Sequence, residues 1–135
     1  MRREPEAEGK RWLEQAKEDL KWAKDLAQRG GYYLACFLAQ QVGEKTLKAY
    51  LYAQGEEIVI GNSVGRLCDT AKRFNPLFQE KAKKWAILDS YHIPTRYPNG
   101  LPDDIPARVY NKDAADAACA LAEEILAFAE TLLEK

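Results

Sequence analysis

Glycine and proline decide where this chain can be regular, because proline breaks a helix interior and glycine weakens one. Of its 8 glycines and 6 prolines, most fall in Gly30-Gly31, in the region of residues 55–65, and in residues 92–110, which hold Pro94, Pro98, Pro102 and Pro106. Between these breaks apolar residues recur at three and four. Leu13, Ala16, Leu20, Ala23 and Ala27 predict a helix over residues 8–29. A second is predicted over residues 32–54, about 35 Å long. A shorter one follows over residues 63–74, with Ser63 as N-cap. Pro76 opens a fourth that carries Phe78, Ala82, Trp85 and Leu88. Asn111 and Asp113 start the last, where Ala114, Ala118, Leu121, Ile125, Phe128 and Leu132 form a coiled-coil-like seam. No alternating strand pattern competes. The expected fold is all-α: an up-down four-helix bundle with an extra short helix and a long proline-rich loop before the last helix. One domain is expected over residues 1–135, with residues 1–7 as a loose tail.

Composition narrows the chemistry. At 135 residues and 47% hydrophobic content the chain can bury its own core. Its 20 basic and 21 acidic side chains leave a net charge of −1. No whole-molecule field draws in nucleic acid, so any such binding needs a local patch. Cys36, Cys68 and Cys119 are widely spaced and His92 is the single histidine, too few ligands for a structural zinc site. Neither a metal nor a cofactor is expected. Scattered thiols point to a reducing compartment. The opening MRREPEAEGK has no apolar signal region, and no apolar run reaches the ~18 residues of a membrane span. A cytoplasmic protein with no membrane partner is the expectation.

The informative places are those where local choices contradict the bundle. The stripe of the second helix reads Phe37, Gln40, Glu44, Leu47, Leu51, so Gln40 and Glu44 stand where apolar residues belong. Either the helix turns enough for both to reach water, or Glu44 meets a cation from another segment, since an unpaired buried carboxylate costs several kcal/mol. Gly43, in mid-helix, costs about 1 kcal/mol against alanine; close packing of a neighbouring chain or an aromatic would justify it. Gly43-Glu44-Lys45-Thr46 is not a phosphate loop, because Glu44 interrupts the required Gly-Lys-Thr and no strand precedes it.

The segment His92-Ile93-Pro94-Thr95-Arg96-Tyr97-Pro98 belongs to a connection long for a compact bundle. Two prolines stiffen it and hold Arg96 and Tyr97. A guanidinium forks onto carboxylate or phosphate, and an aromatic ring stacks on a base. Arg96 could equally tie the loop down while Tyr97 fills a gap. The anomalies combine into one expectation: an extended loop lays Arg96 against Glu44, leaving Tyr97 beside Gln41, Lys45 or Lys48 as a ligand-binding rim. Lys81, Lys83 and Lys84 form a second basic run that suits a solvated face as well as a phosphate track. His92 either caps the preceding helix or titrates.

The run from Cys36 to Ala49 contains Ala39-Gln40-Gln41, Glu44-Lys45 and Leu47-Lys48-Ala49, and resembles the A-Q-Q-x-x-E-K-x-L-K-A signature helix of the HEPN family. Ile93-Pro94-Thr95-Arg96-Tyr97-Pro98 resembles the same family's Y-I-P-T-R-Y-P segment. The resemblance spans roughly residues 8–133 and implies a four- to five-helix bundle, often a homodimer. Many relatives pair with a minimal nucleotidyltransferase in a toxin–antitoxin-like complex. Others are metal-independent ribonucleases built on an arginine and a histidine with four to six residues between them. Here the positions where that arginine would precede His92 are Trp85, Ala86 and Ile87, so the ribonuclease pattern is broken. The resemblance therefore implies a non-catalytic module that dimerises and binds a nucleotidyltransferase partner and a nucleotide or RNA. The alternative is a ribonuclease with a degenerate site using His92 and Arg96. The expected ligand-binding residues are Gln40, Gln41, Glu44, Lys45, Lys48, Arg96 and Tyr97. Trp12 and Trp22, ten positions apart and about 80° apart around one helix, leave an aromatic for an interface.

Overall fold

The computed structural model describes residues 4–134. Three long helices form its frame: α1 (Pro5–Arg29), α2 (Tyr32–Ala53) and, last in the chain, α6 (Lys112–Leu133). Between α2 and α6 lie α3 (Val64–Ala71), α4 (Leu77–Trp85) and the single turn α5 (Pro106–Val109). Among the described residues there is no strand. The all-α bundle expected from the sequence is what forms. Its fourth position is shared by α3, α4 and the 3₁₀ turn Ala86–Tyr91 that continues α4. Within the stretch 1–7 expected as a loose tail, α1 already begins at Pro5, whose missing N–H costs nothing in a first turn. Residues 1–3 lie outside the described part.

Local chemistry sets the element ends. Gly30 takes a left-handed φ of 94° and closes α1, and Gly31 turns the chain back into an antiparallel α2. The Ser63 hydroxyl accepts from the Arg66 amide, and the Asn111 side chain accepts from the Ala114 amide, capping α3 and α6 as predicted.

The central helix is α2, which packs against α1, α6, α3 and the 3₁₀ turn. Gly43 is needed there: an added Cβ would lie 3.1–3.2 Å from Val64, Ile125 and Leu88 side chains. The neighbours that justify this glycine are aliphatic side chains of its own chain, not the aromatic or neighbouring chain expected. Behind α2, Phe78 meets Tyr50 at 4.8 Å and Phe128 at 5.2 Å between ring centroids, and Trp85 meets Phe128 at 5.5 Å. Trp85 is fully buried. The cysteines are free and buried, and burial pushes the thiols of Cys36 and Cys68 up to about 12 and that of Cys119 to about 11. No described helix is long and apolar enough to cross a membrane.

Candidate functional site

Helical geometry puts Phe37, Gln40, Gln41, Glu44, Lys45 and Lys48 within an arc of about 140° on α2. The helix does not rotate this arc into water: Gln40 is 0% exposed and Glu44 7%. The arc divides instead into two halves with different partners.

Toward the C-terminal end of α2 the partners come from α1. Lys45 Nζ lies 2.6 Å from Asp19 Oδ2, and Asp19 also accepts from Gln15 at 2.9 Å. Lys48 Nζ lies 3.2 Å from Glu44 Oε2, with both side chains about nine-tenths buried. The Lys48 ammonium also sits 5.5 Å from the Trp12 ring, which stacks on Tyr52 at 5.5 Å. Every charge in this half has an opposite charge at contact distance. Such a clamp joins two helices and leaves no cation over for a ligand.

Toward the N-terminal end the partners come from the loop before α3 and from the segment after α4. Gln40 donates to the Asn62 carbonyl at 2.9 Å, and its oxygen accepts from Gln41 at 2.8 Å. That oxygen also lies 3.3 Å from His92 Nδ1. Across the imidazole, Nε2 lies 3.3 Å from Arg96 Nη2, while Arg96 Nε donates to the His92 carbonyl at 2.9 Å. The guanidinium carbon stands 4.8 Å from the Phe37 centroid and 5.3 Å from that of Tyr97. Arg96 and Tyr97 are both exposed.

The expected Arg96–Glu44 pair is therefore corrected. Glu44 takes its cation from Lys48, one turn along the same helix, and Arg96 bonds to His92. The loop is also not extended. The Arg96 amide donates to the Ile93 carbonyl at 3.0 Å, making a turn with Pro94 at its second position. Buried Thr95 donates its hydroxyl to the Tyr91 carbonyl and draws the segment back on itself. Of the seven expected residues, Gln40, Gln41, Arg96 and Tyr97 gather in one half, and Glu44, Lys45 and Lys48 in the other.

Two contributors were not expected. Phe37 supports the guanidinium, and its signal was its place one turn before Gln41. Asp89 anchors the segment: its carboxylate accepts from the Ser63 hydroxyl at 2.9 Å, the Val64 amide at 2.6 Å and the Gly65 amide at 3.0 Å. An anion at a helix N-terminus is favourable, and here it pins the start of α3 to the turn that delivers His92. Tyr91 packs its ring 5.9 Å from Tyr110, and burial pushes both phenols up, so they stay neutral hydroxyls.

Two lysines of the remaining basic run are engaged within the chain. Lys84 pairs with Glu124 at 2.8 Å, and Lys81 lies over the Phe128 ring at 5.4 Å. A depression of about 530 Å³ opens between the ends of α1, α2 and α6, but Glu6, Glu14, Glu130 and Glu134 outnumber Lys10 and Lys17 on its wall. Its acidity disfavours an anionic ligand, and it holds none of the candidate residues. No group of three or more metal-binding side chains occurs among the described residues.

The clustering of the signature helix with the Ile93–Pro98 segment agrees with the family comparison: a model of the HEPN domain matches residues 10–132. The chain belongs to the HEPN family. TT1696 from Thermus thermophilus is 38% identical, with a TM-score of 0.80 over 91% of this chain and 96% of that one. ST0689, described as an archaeal HEPN homologue, is 32% identical, with a TM-score of 0.73 over 93% and 97%. None of the curated proteins is significantly similar. Within this HEPN chain the position expected for a ribonuclease arginine is partly taken by Trp85, buried between Phe78 and Phe128.

Proposed function

We propose that this HEPN chain is a non-catalytic binding module. It works as a dimer beside a minimal nucleotidyltransferase in a toxin–antitoxin-like pair, and it holds the phosphate of a nucleotide or RNA on Arg96. The observation that carries the reading is the contrast within the α2 arc. Lys45 and Lys48 are neutralised by carboxylates, whereas Arg96 is exposed, faces no acid among the described residues, and is framed by two aromatic rings. A planar cation between rings, with donors to spare, suits a phosphate attached to a base.

Dimerisation draws support from exposed apolar side chains on α1, α2 and the Ile93–Tyr97 segment. Trp22 is 49% exposed, Tyr97 49%, Ile93 46% and Leu34 40%. Leu34 shares the outer arc of α2 with Phe37 and Gln41 at helical spacing, and Trp22 stands three residues beyond Asp19, the partner of Lys45. Exposed aromatics next to a polar cluster fit an interface.

Cleavage of RNA through its 2′-hydroxyl needs a base and an acid at the scissile phosphate. Each chain has one histidine, and both its ring nitrogens are engaged. The juxtaposition of that histidine with Arg96 favours the alternative of a degenerate ribonuclease, and one assay separates the two. Purified protein should leave single-stranded RNA intact without metal; cleavage abolished by His92→Ala would establish the enzyme instead. The binding reading expects 5′-AMP to bind in calorimetry and Arg96→Ala to remove that binding. Light scattering should give twice the 15.3 kDa chain mass; a monomer at micromolar concentration would refute the dimer.

A further inference from the structure

The histidine of this cluster has a neighbour on each ring nitrogen, and the two differ in what they can donate or accept. Gln40 is completely buried, so both ends of its amide need protein partners. One end faces the Asn62 carbonyl at 2.9 Å. A carbonyl only accepts, so that end is the amide nitrogen and the oxygen points the other way. The oxygen accepts from Gln41 at 2.8 Å and also meets His92 Nδ1 at 3.3 Å; a bare ring nitrogen there would set lone pair against lone pair, so Nδ1 is the nitrogen that carries the proton. On the far side of the ring, Nε2 meets Arg96 Nη2 at 3.3 Å. A guanidinium has no lone pair to offer, so Nε2 must accept. The ring that satisfies both neighbours is neutral, with its proton on Nδ1.

We infer that His92 acts as a neutral acceptor that aims the Arg96 guanidinium, and that Gln40 is the positioning residue that sets its tautomer. Arg96 spends two of its five N–H groups on His92, through Nε to the carbonyl and Nη2 to the ring. The other three remain for an oxyanion, and the rings of Phe37 and Tyr97 hold the fork in place. His92 then gives the ligand neither a proton nor a positive charge. This last step rests on the phosphate-binding reading above; the tautomer does not.

Because His92 is the single histidine of the 135 residues, this chain labelled with ¹⁵N-histidine reports it without ambiguity. At about pH 8, where an ordinary imidazole is already neutral, the protonated nitrogen should be Nδ1. Protonation at Nε2, an even mixture of tautomers, or an imidazolium would overturn the inference. Gln40→Met removes the acceptor and should shift the spectrum toward mixed tautomers; an unchanged Nδ1–H form would mean that Gln40 does not set it.

If Gln40→Met does not fold, a second pair at half-buried His92 carries the test. His92→Gln puts an oxygen acceptor near the place of Nε2, whereas His92→Leu does not. Titrated with inorganic phosphate and read at the Arg96 Nε–H resonance, His92→Gln should keep affinity within about twofold of the native chain. His92→Leu should lose about tenfold or more, the scale of one hydrogen bond to a charged group. Equal losses in both would refute the acceptor role. A native protein with the Nδ1–H tautomer and no response to phosphate would refute the binding reading while leaving the tautomer assignment standing.

Discussion

The two halves of the α2 arc are built from similar residues and end in opposite states. In the C-terminal half, Glu44, Lys45 and Lys48 are matched by Asp19, by Trp12 and by each other. In the N-terminal half, Gln40 and Gln41 lead through His92 to an arginine that no described carboxylate meets. Polarity in a buried stripe thus has two meanings. Where the charges cancel at contact distance, the polar residues join helices; where they leave surplus donors at the surface, they can receive something from outside.

The largest effect should come from breaking the closed half. Lys48→Ala strands the Glu44 carboxylate, whose Oε1 already lacks a partner, and should cost about 3–5 kcal/mol in urea unfolding. The phosphate response of Arg96 should survive under conditions where the variant remains folded. A cost below about 1 kcal/mol would mean that the pair behaves as an exposed one.

Next comes the frame of the open half. Asp89→Ala removes three hydrogen bonds at the start of α3 and should cost about 2 kcal/mol, at the upper end for a lost helix cap. It should also loosen His92, visible as faster exchange of the amides of residues 92–97. Unchanged exchange would separate the cap from the site.

The core behind both halves titrates with a defined sign. The folded-state thiols lie above the ordinary value of 9.0, with Cys36 at about 12, chiefly because burial disfavours the thiolate. A folded chain that holds protons the unfolded chain releases loses stability as pH rises. Their stabilising contribution should be complete below about pH 9 and fade between about 9 and 12. Cys36→Ala should flatten that decline in part; an unchanged slope would assign it to Cys68, Cys119 and the tyrosines.

The smallest effect on stability should come from the open half itself. Arg96→Ala removes an exposed side chain whose bonds stay within one turn, and should change stability by less than about 1 kcal/mol. A larger loss would make Arg96 a structural tie.

Much of the fold was legible because glycine, proline and apolar spacing act locally. Gly30-Gly31 turned the chain, and Ser63 and Asn111 capped the helices they precede. The break at Gln40 and Glu44 was legible too, since two polar residues cannot enter a seam without partners. Which partners they found was not. Lys48 lies one turn from Glu44 on the same helix, and Arg96 became engaged elsewhere once Thr95 folded its segment into a turn. Asp89 reaches α3 across more than twenty positions, a pairing that periodicity does not encode. The sequence marked where polarity was anomalous, and tertiary packing decided which half closed.

The division of the arc is tested most directly by titrating 5′-AMP into isotope-labelled protein and mapping the resonances that move. The account predicts shifts concentrated on Phe37, Gln41, His92, Arg96 and Tyr97, with Trp12, Gln15, Lys45 and Lys48 still. Shifts centred on Trp12, Gln15 and Lys45, or none at all, would contradict it.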